Sequence, residues 1–153
     1  MNDLEGMRAA LDEARASEAA GEVPIGAVIL FDNRIVARGQ NRVLRDNDPT
    51  AHAEMVALRG AALAIGIYRL AGCTLVSTLE PCAMCAGAMI HARIDRLVFA
   101  ADDAKAGAAG SVLGVLNHAA LNHEMVLERG LLAEESAALL REFFQRRRSS
   151  PKA

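Results

Sequence analysis

The sequence contains no tryptophan, one tyrosine and four phenylalanines. With Phe31, Tyr68, Phe99, Phe143 and Phe144 as its only rings, any core must be built mainly from aliphatic side chains, for which a 52% hydrophobic content is ample. There are only three cysteines, and Cys82 and Cys85 are too few and too close together for the framework of a small disulfide-stapled domain. Metal ligation is the better use of that pair. Neither sign of charge prevails: the net charge of -2 excludes a chain-wide attraction to polyanions, so any nucleic acid must be met by a local patch. No apolar run approaches the roughly 18 residues needed to span a bilayer. The start Met1-Asn2-Asp3-Leu4-Glu5 also lacks the basic and apolar segments of a signal peptide. A cytoplasmic location without a membrane partner is therefore expected. Internal repeats and low-complexity tracts are absent as well.

At 153 residues the chain suits one domain, expected over residues 1–148, with a disordered tail over 149–153. Leu4, Met7, Leu11 and Ala14 recur at helical spacing and predict an amphipathic helix ending near Gly21. Ile25 to Phe31 and Arg34 to Arg38 read as a hairpin about Asp32-Asn33. Asp48-Pro49 reads as an N-cap and first helical residue, leading into an alanine-rich helix to about Leu63. Cys73 to Thr78, a helix from Pro81 to about His91, and Arg96 to Ala101 form a β-α-β unit. A glycine-containing stretch, a weaker strand over 124–127 and a helix from about Leu132 to Arg148 complete the chain. The order predicts a three-layer α/β/α domain around a mixed five-stranded sheet.

Two segments carry chemistry: His52-Ala53-Glu54 and Pro81-Cys82-Ala83-Met84-Cys85, each placed at a helix start. Cys82 and Cys85 share one face of a first turn, where the helix dipole favours the thiolate that zinc binds. If the two helix starts adjoin, His52 completes a His/Cys/Cys set with bonds of about 2.0 to 2.3 Å. Three ligands leave one position for water, as in catalytic sites, whereas structural zinc takes four. Cys73 lies about 20 Å along an extended strand from this site. His91 is a rise of about 9 Å beyond Cys85 on the same helix. His118 and His123 are not excluded by geometry, but both also suit surface loops. Glu54, two residues from the histidine, can take a proton from water at the metal and hand it on, although a lone first-turn glutamate would need no such role. Alone, Cys-x-x-Cys is weak and His-x-Glu weaker; together, with Pro81 in place, they are strong.

His-x-Glu followed by Pro-Cys-x-x-Cys is the signature of the cytidine deaminase-like zinc enzymes, and the chain resembles the bacterial tRNA-specific adenosine deaminases among them. The resemblance runs from Glu22-Val23-Pro24-Ile25-Gly26-Ala27 through Asn41-Arg42 and Asp48 to Glu54. It continues over Thr78 to Cys82, Cys85 to His91, Asp103 to Ser111, and Phe143-Phe144. It implies the cytidine deaminase-like fold, one Zn2+ per chain held by His52, Cys82 and Cys85, Glu54 as proton shuttle, and a homodimer. The implied reaction is hydrolytic deamination of adenosine to inosine at the wobble position of a tRNA anticodon stem-loop. Asn41 becomes a base-contacting amide, though by itself it would suit a turn after the second strand equally well. Asp103 approaches a ribose 2′-hydroxyl, while Asp102 beside it would repel phosphate. Lys105 and the run Arg146, Arg147, Arg148 are candidate RNA contacts, and the run would also suit a solvated tail. Arg42 and Arg45 form a weaker basic pair. Met84, Ala88 and Met89 suit either a dimer contact or the core. Two rivals stand beside this reading: a deaminase of free guanine, cytosine or a nucleoside, and a zinc-stabilised binding module without turnover.

Overall fold

A computed structural model describes residues 1–149. Its elements are α1 (Asp3–Ala19), β1 (Gly26–Phe31), β2 (Arg34–Gln40), α2 (Ala53–Ile65), β3 (Thr74–Leu79), α3 (Ala83–Ala92), β4 (Arg96–Ala101), β5 (Val126–Arg129) and α4 (Ala133–Ser149). The strands form one sheet in the order β2-β1-β3-β4-β5. β1 runs antiparallel to both β2 and β3, and β3, β4 and β5 are parallel, so the sheet is mixed as expected.

Side chains alternate across the sheet with the two-residue period of a strand. Ala27, Ile29, Leu75, Leu97 and Phe99 face a core shared with Ala53, Ala57 and Ala61 of α2 and with Cys85, Ala86 and Met89 of α3. Val28, Leu30, Val76, Val98 and Ala100 face the opposite core, built with Met7, Ala10 and Leu11 of α1 and flanked by Leu132 and Leu139. The result is three layers, with α2 and α3 on one face and α1 and α4 on the other.

Local sequence accounts for most of the boundaries. Asn2 and Glu5 close a capping box at the start of α1. The β1–β2 turn rests on Asp32 and Asn33, both with left-handed backbones at φ of 50° and 59°. Gly26 and Gly39 permit unusually close helix packing: a Cβ at Gly26 would lie 2.0 Å from the Ala10 carbonyl of α1, and one at Gly39 would lie 2.2 Å from the Ala53 carbonyl of α2.

Several boundaries differ from expectation. α2 starts at Ala53, not after Asp48-Pro49, because the Asp48 carboxylate accepts from the Thr50 amide and hydroxyl, both at 2.8 Å, and holds residues 48–52 in a turn. α3 starts at Ala83 with Cys82 as its N-cap, two residues beyond the expected opening at Pro81. β5 lies two residues later than expected, and Leu4 is exposed while Met7, Leu11 and Ala14 are buried. Of the tail expected to be disordered, Ser149 ends α4. The remainder, including Lys152, lies outside the described residues. Among the described residues no helix is long and apolar enough to cross a membrane.

Candidate metal centre and substrate cavity

His52 is the N-cap of α2 and Cys82 the N-cap of α3, yet neither side chain makes a capping hydrogen bond. Both turn instead toward each other and toward Cys85, in the first turn of α3. His52 Nδ1 lies 3.6 Å from the Sγ of Cys82 and 3.6 Å from that of Cys85. All three donor atoms lie within 4.8 Å of one another, the one such group of three among the described residues. Bonds of about 2.1 Å to nitrogen and 2.3 Å to sulfur at tetrahedral angles separate N from S by about 3.6 Å. Both edges from His52 therefore have the length a tetrahedral zinc needs. The three donors are linked through shared protons. Hydrogen bonds from Cys85 and His52 lower the Cys82 thiol to about 3, and the bond to Cys82 keeps the proton on Cys85. The bond to Cys82 likewise holds His52 above the ordinary histidine range. Those shared protons are what a bound metal displaces.

Glu54 is 4% exposed, and burial pushes its carboxyl up to about 7. It lines a cavity of about 140 Å³ together with His52, Cys82, Asn41, Ile25, Leu79, Glu80, Asp103 and Ala106. A wider depression of about 660 Å³ shares Ile25, Leu79 and Asp103 with it and extends over Lys105, Arg141, Phe144 and Arg148.

The structure thus brings His52, Cys82, Glu54, Asn41 and Asp103 to one cavity, with Cys85 buried beside His52 and Cys82, and with Lys105 and Arg148 on the adjoining surface. Asn41 is at once a wall residue and a loop residue. Its Oδ1 accepts from the Val43 amide at 3.2 Å and its Nδ2 reaches the Val23 carbonyl at 3.5 Å. The Asp103 carboxylate accepts from the amides of Lys105 and Ala106 at 3.0 and 3.2 Å. Arg146 and Arg147 do not join this site. Arg146 bonds Glu18 at 2.7 Å, while Arg147 lies over the Phe143 ring and donates to the Gly21 carbonyl, both on the α1 side. Arg42 and Arg45 are tied to Asp46 and Glu22, and Asp102 pairs with Arg129 at 3.4 Å.

Cys73 is fully buried in the α2–α3 core, where desolvation raises its thiol to about 11. His118 accepts from the Ala120 amide, and His123 contacts the Ile94 carbonyl at 2.6 Å. His91 is exposed on α3. Met89 is core, whereas Met84 and Ala88 are half-buried.

Two residues that sequence reasoning left without a role are Glu22 and Glu80, which are 1% and 2% exposed. Glu22 accepts from the amides of Leu44 and Arg45 and from the Arg45 guanidinium, and so holds the loop that follows Asn41. Glu80 receives hydrogen bonds from the loop that follows Asp103. The available signal for Glu80 was an acidic residue directly between Leu79 and Pro81, at the end of a strand.

A family model described as the cytidine and deoxycytidylate deaminase zinc-binding region matches residues 1–101. The chain is 50% identical over 147 residues to a tRNA-specific adenosine deaminase of Haemophilus influenzae, covering 95% of this chain and 85% of that protein. It is 42% identical to the tRNA-specific adenosine deaminase of Bacillus subtilis, covering 96% and 91%. A solved structure from studies of A-to-I editing by tRNA:A34 deaminases at the wobble position of transfer RNA superposes with a TM-score of 0.86 at 45% identity, covering 89% of this chain and 99% of that one. A guanine deaminase from Nitrosomonas europaea superposes with a TM-score of 0.79 at 29% identity, covering 92% and 83%.

Proposed function

The chain belongs to the cytidine and deoxycytidylate deaminase family of zinc enzymes, and we propose that it deaminates adenosine to inosine at the wobble position of a tRNA anticodon loop. The observation that carries the chemistry is the His52–Cys82–Cys85 triangle with buried Glu54 in the same cavity. The choice of substrate is supported by the relatives, whose similarity extends over nearly the whole chain.

In this reading His52, Cys82 and Cys85 hold one zinc ion, whose Lewis acidity makes water a nucleophile near neutral pH. The cysteines and the imidazole of His52 are supplied by two adjoining helix starts, where the helix dipole favours the thiolate. Glu54 relays both protons of the attacking water in turn, one to the adenine ring nitrogen as the C6–O bond forms and the second to the exocyclic amine as the C6–N bond breaks and ammonia leaves. Its burial keeps bulk water from competing for those protons. Asn41, in the same lining, offers the second N–H and second lone pair of its amide to the purine edge. Asp103 accepts from a ribose 2′-hydroxyl, and Lys105 and Arg148 meet phosphate. A base in an anticodon loop is already unpaired, so its extrusion into a narrow cavity costs little. Homodimer formation, implied by the resemblance, and a cytoplasmic location, expected from the sequence, complete the reading.

The similarity to a guanine deaminase favours a second reading, deamination of a free purine. Product release from four substrates decides between them: an anticodon stem-loop with wobble adenosine, the matching DNA hairpin, free adenosine and free guanine. Fastest conversion of the stem-loop supports the RNA reading, and fastest conversion of guanine replaces it. Cys82→Ala and Cys85→Ala should lose zinc. Glu54→Ala should keep zinc and the fold but lose nearly all turnover, and a zinc-loaded Glu54→Ala protein with near wild-type turnover would falsify the proton-shuttle role.

A further inference from the structure

We infer that Glu80 is a positioning residue that fixes the cavity wall carrying Asp103 and Ala106, and through that wall sets affinity for the RNA; this rests on the RNA reading above. Glu80 stands between β3 and Pro81, one step from the start of the metal-binding turn, yet its carboxylate is spent on a loop more than twenty residues away. Oε1 accepts from the Asp103 amide at 3.0 Å and from the Ser111 hydroxyl. Oε2 accepts from the amides of Ala109 at 2.9 Å and Ser111 at 3.1 Å. Four donors from both ends of one loop thus converge on a single buried anion, a satisfied and charge-assisted set. The loop closes around it: a Cβ at Gly107 would stand 2.4 Å from the Glu80 carboxyl carbon. Asp103 and Ala106 line the cavity beside His52 and Glu54, so the position of this loop is the position of the wall.

The donor geometry predicts what a neutral replacement does. A glutamine has one acceptor oxygen where the glutamate has two. Its best fit puts that oxygen toward the Ala109 and Ser111 amides and its NH2 toward the Ser111 hydroxyl. The Asp103 amide is then left facing a second donor. Glu80→Gln therefore releases the cavity end of the loop and spares the far end. Gly107→Ala attacks the same contact from the other side, because the carboxylate cannot move away without leaving all four donors. Ser111→Ala removes one donor and is the mildest of the three.

The test measures kcat and KM on the wobble-adenosine stem-loop, zinc content, and amide hydrogen exchange at Asp103, Ala109 and Ser111. For Glu80→Gln we expect KM to rise about tenfold while kcat falls by much less, with wild-type zinc content and faster exchange at Asp103 than at Ala109. Gly107→Ala should show the same split, and Ser111→Ala a smaller one. A variant that loses only thermal stability, with KM unchanged, would overturn the inference. So would loss of zinc with a fall in kcat, which would place the role of Glu80 at Cys82. If the wild-type protein releases no inosine from the stem-loop, the RNA reading fails. The exchange data then still decide the role of Glu80 in fixing the wall: faster exchange at Asp103 in Glu80→Gln and Gly107→Ala supports it, and unaltered protection in both refutes it. Should Glu80→Gln fail to fold, Gly107→Ala and Ser111→Ala carry the same readouts.

Discussion

Substituting alanine for Gly39 should separate the stability of the protein from its ability to hold zinc. Gly39 of β2 packs on the backbone of α2, where a Cβ would meet the Ala53 carbonyl at 2.2 Å and the Ala57 amide nitrogen at 2.7 Å. Ordinary contact begins at about 3.4 Å, so α2 must retreat from the sheet by about 1.2 Å at Ala53. Ala53 lies between His52 and Glu54, and the cysteines stay behind on α3. A displacement of that size far exceeds the roughly 0.2 Å tolerance of a metal bond. Overpacking of this kind costs about 1 to 3 kcal/mol. Gly26 provides the matched control: it sits beside Ala27, the partner of Gly39 across the hairpin, and its Cβ would meet the Ala10 carbonyl of α1 at 2.0 Å, on the opposite face. Gly26→Ala should therefore cost comparable stability and keep its zinc. The assay is thermal unfolding of both variants, with metal analysis at a temperature where each is folded. Equal zinc contents in the two variants, or a Gly39→Ala protein as stable as wild type, would refute the packing argument.

Other outcomes follow from the same geometry. Cys73→Ser should keep a full complement of zinc and cost about 1 kcal/mol or somewhat more, because it buries a hydroxyl in the α2–α3 core; metal analysis and thermal unfolding check it. Burial would raise the Glu22 carboxyl, but hydrogen bonds from Arg45 and Leu44 hold it below its ordinary value of 4.5. Its contribution is thus complete above about pH 4.5 and is lost as pH falls through the lower folded value, so Glu22→Gln should be less stable near pH 7 and the gap should narrow in acid. Arg148→Ala should weaken stem-loop binding and flatten its salt dependence, whereas Arg147→Ala, on the α1 side, should leave the salt slope near wild type.

The sheet and its helices were legible because strand alternation and helical spacing are local. Val28 and Leu30 against Ala27 and Ile29 already divide the two cores. The start of α2 was misread for an equally local reason. Asp48-Pro49 has the right residue types for a cap, but the Asp48 carboxylate is used by Thr50 one turn too early. What α2 has for an N-cap is His52, a poor cap by propensity whose ring is committed to the cysteines. The arginine run was read as one patch, although successive helix residues point about 100° apart. Arg146 and Arg147 accordingly lie against α1 while Arg148 reaches the depression.

The metal triangle was legible for the reason its walls were not. Cys82 and Cys85 meet within one helical turn, so a spacing of three residues states their geometry, and only the approach of His52 needed the fold. The walls depend on contacts that no spacing encodes: Glu22 reaches 23 residues to the Arg45 amide, and Glu80 reaches 29 to the Ala109 amide. A buried carboxylate is costly unless its oxygens are filled by donors, and backbone amides from an otherwise irregular loop are the donors at hand. The requirement works in both directions, since the loop amides also need an acceptor once buried. Each glutamate therefore replaces the ladder of hydrogen bonds that an irregular loop lacks: Glu22 holds the loop that follows Asn41, and Glu80, itself in the cavity lining, holds the loop that follows Asp103. The loop walls of the cavity lack a hydrogen-bond ladder of their own, and two buried carboxylates whose oxygens are filled by backbone amides hold them in place.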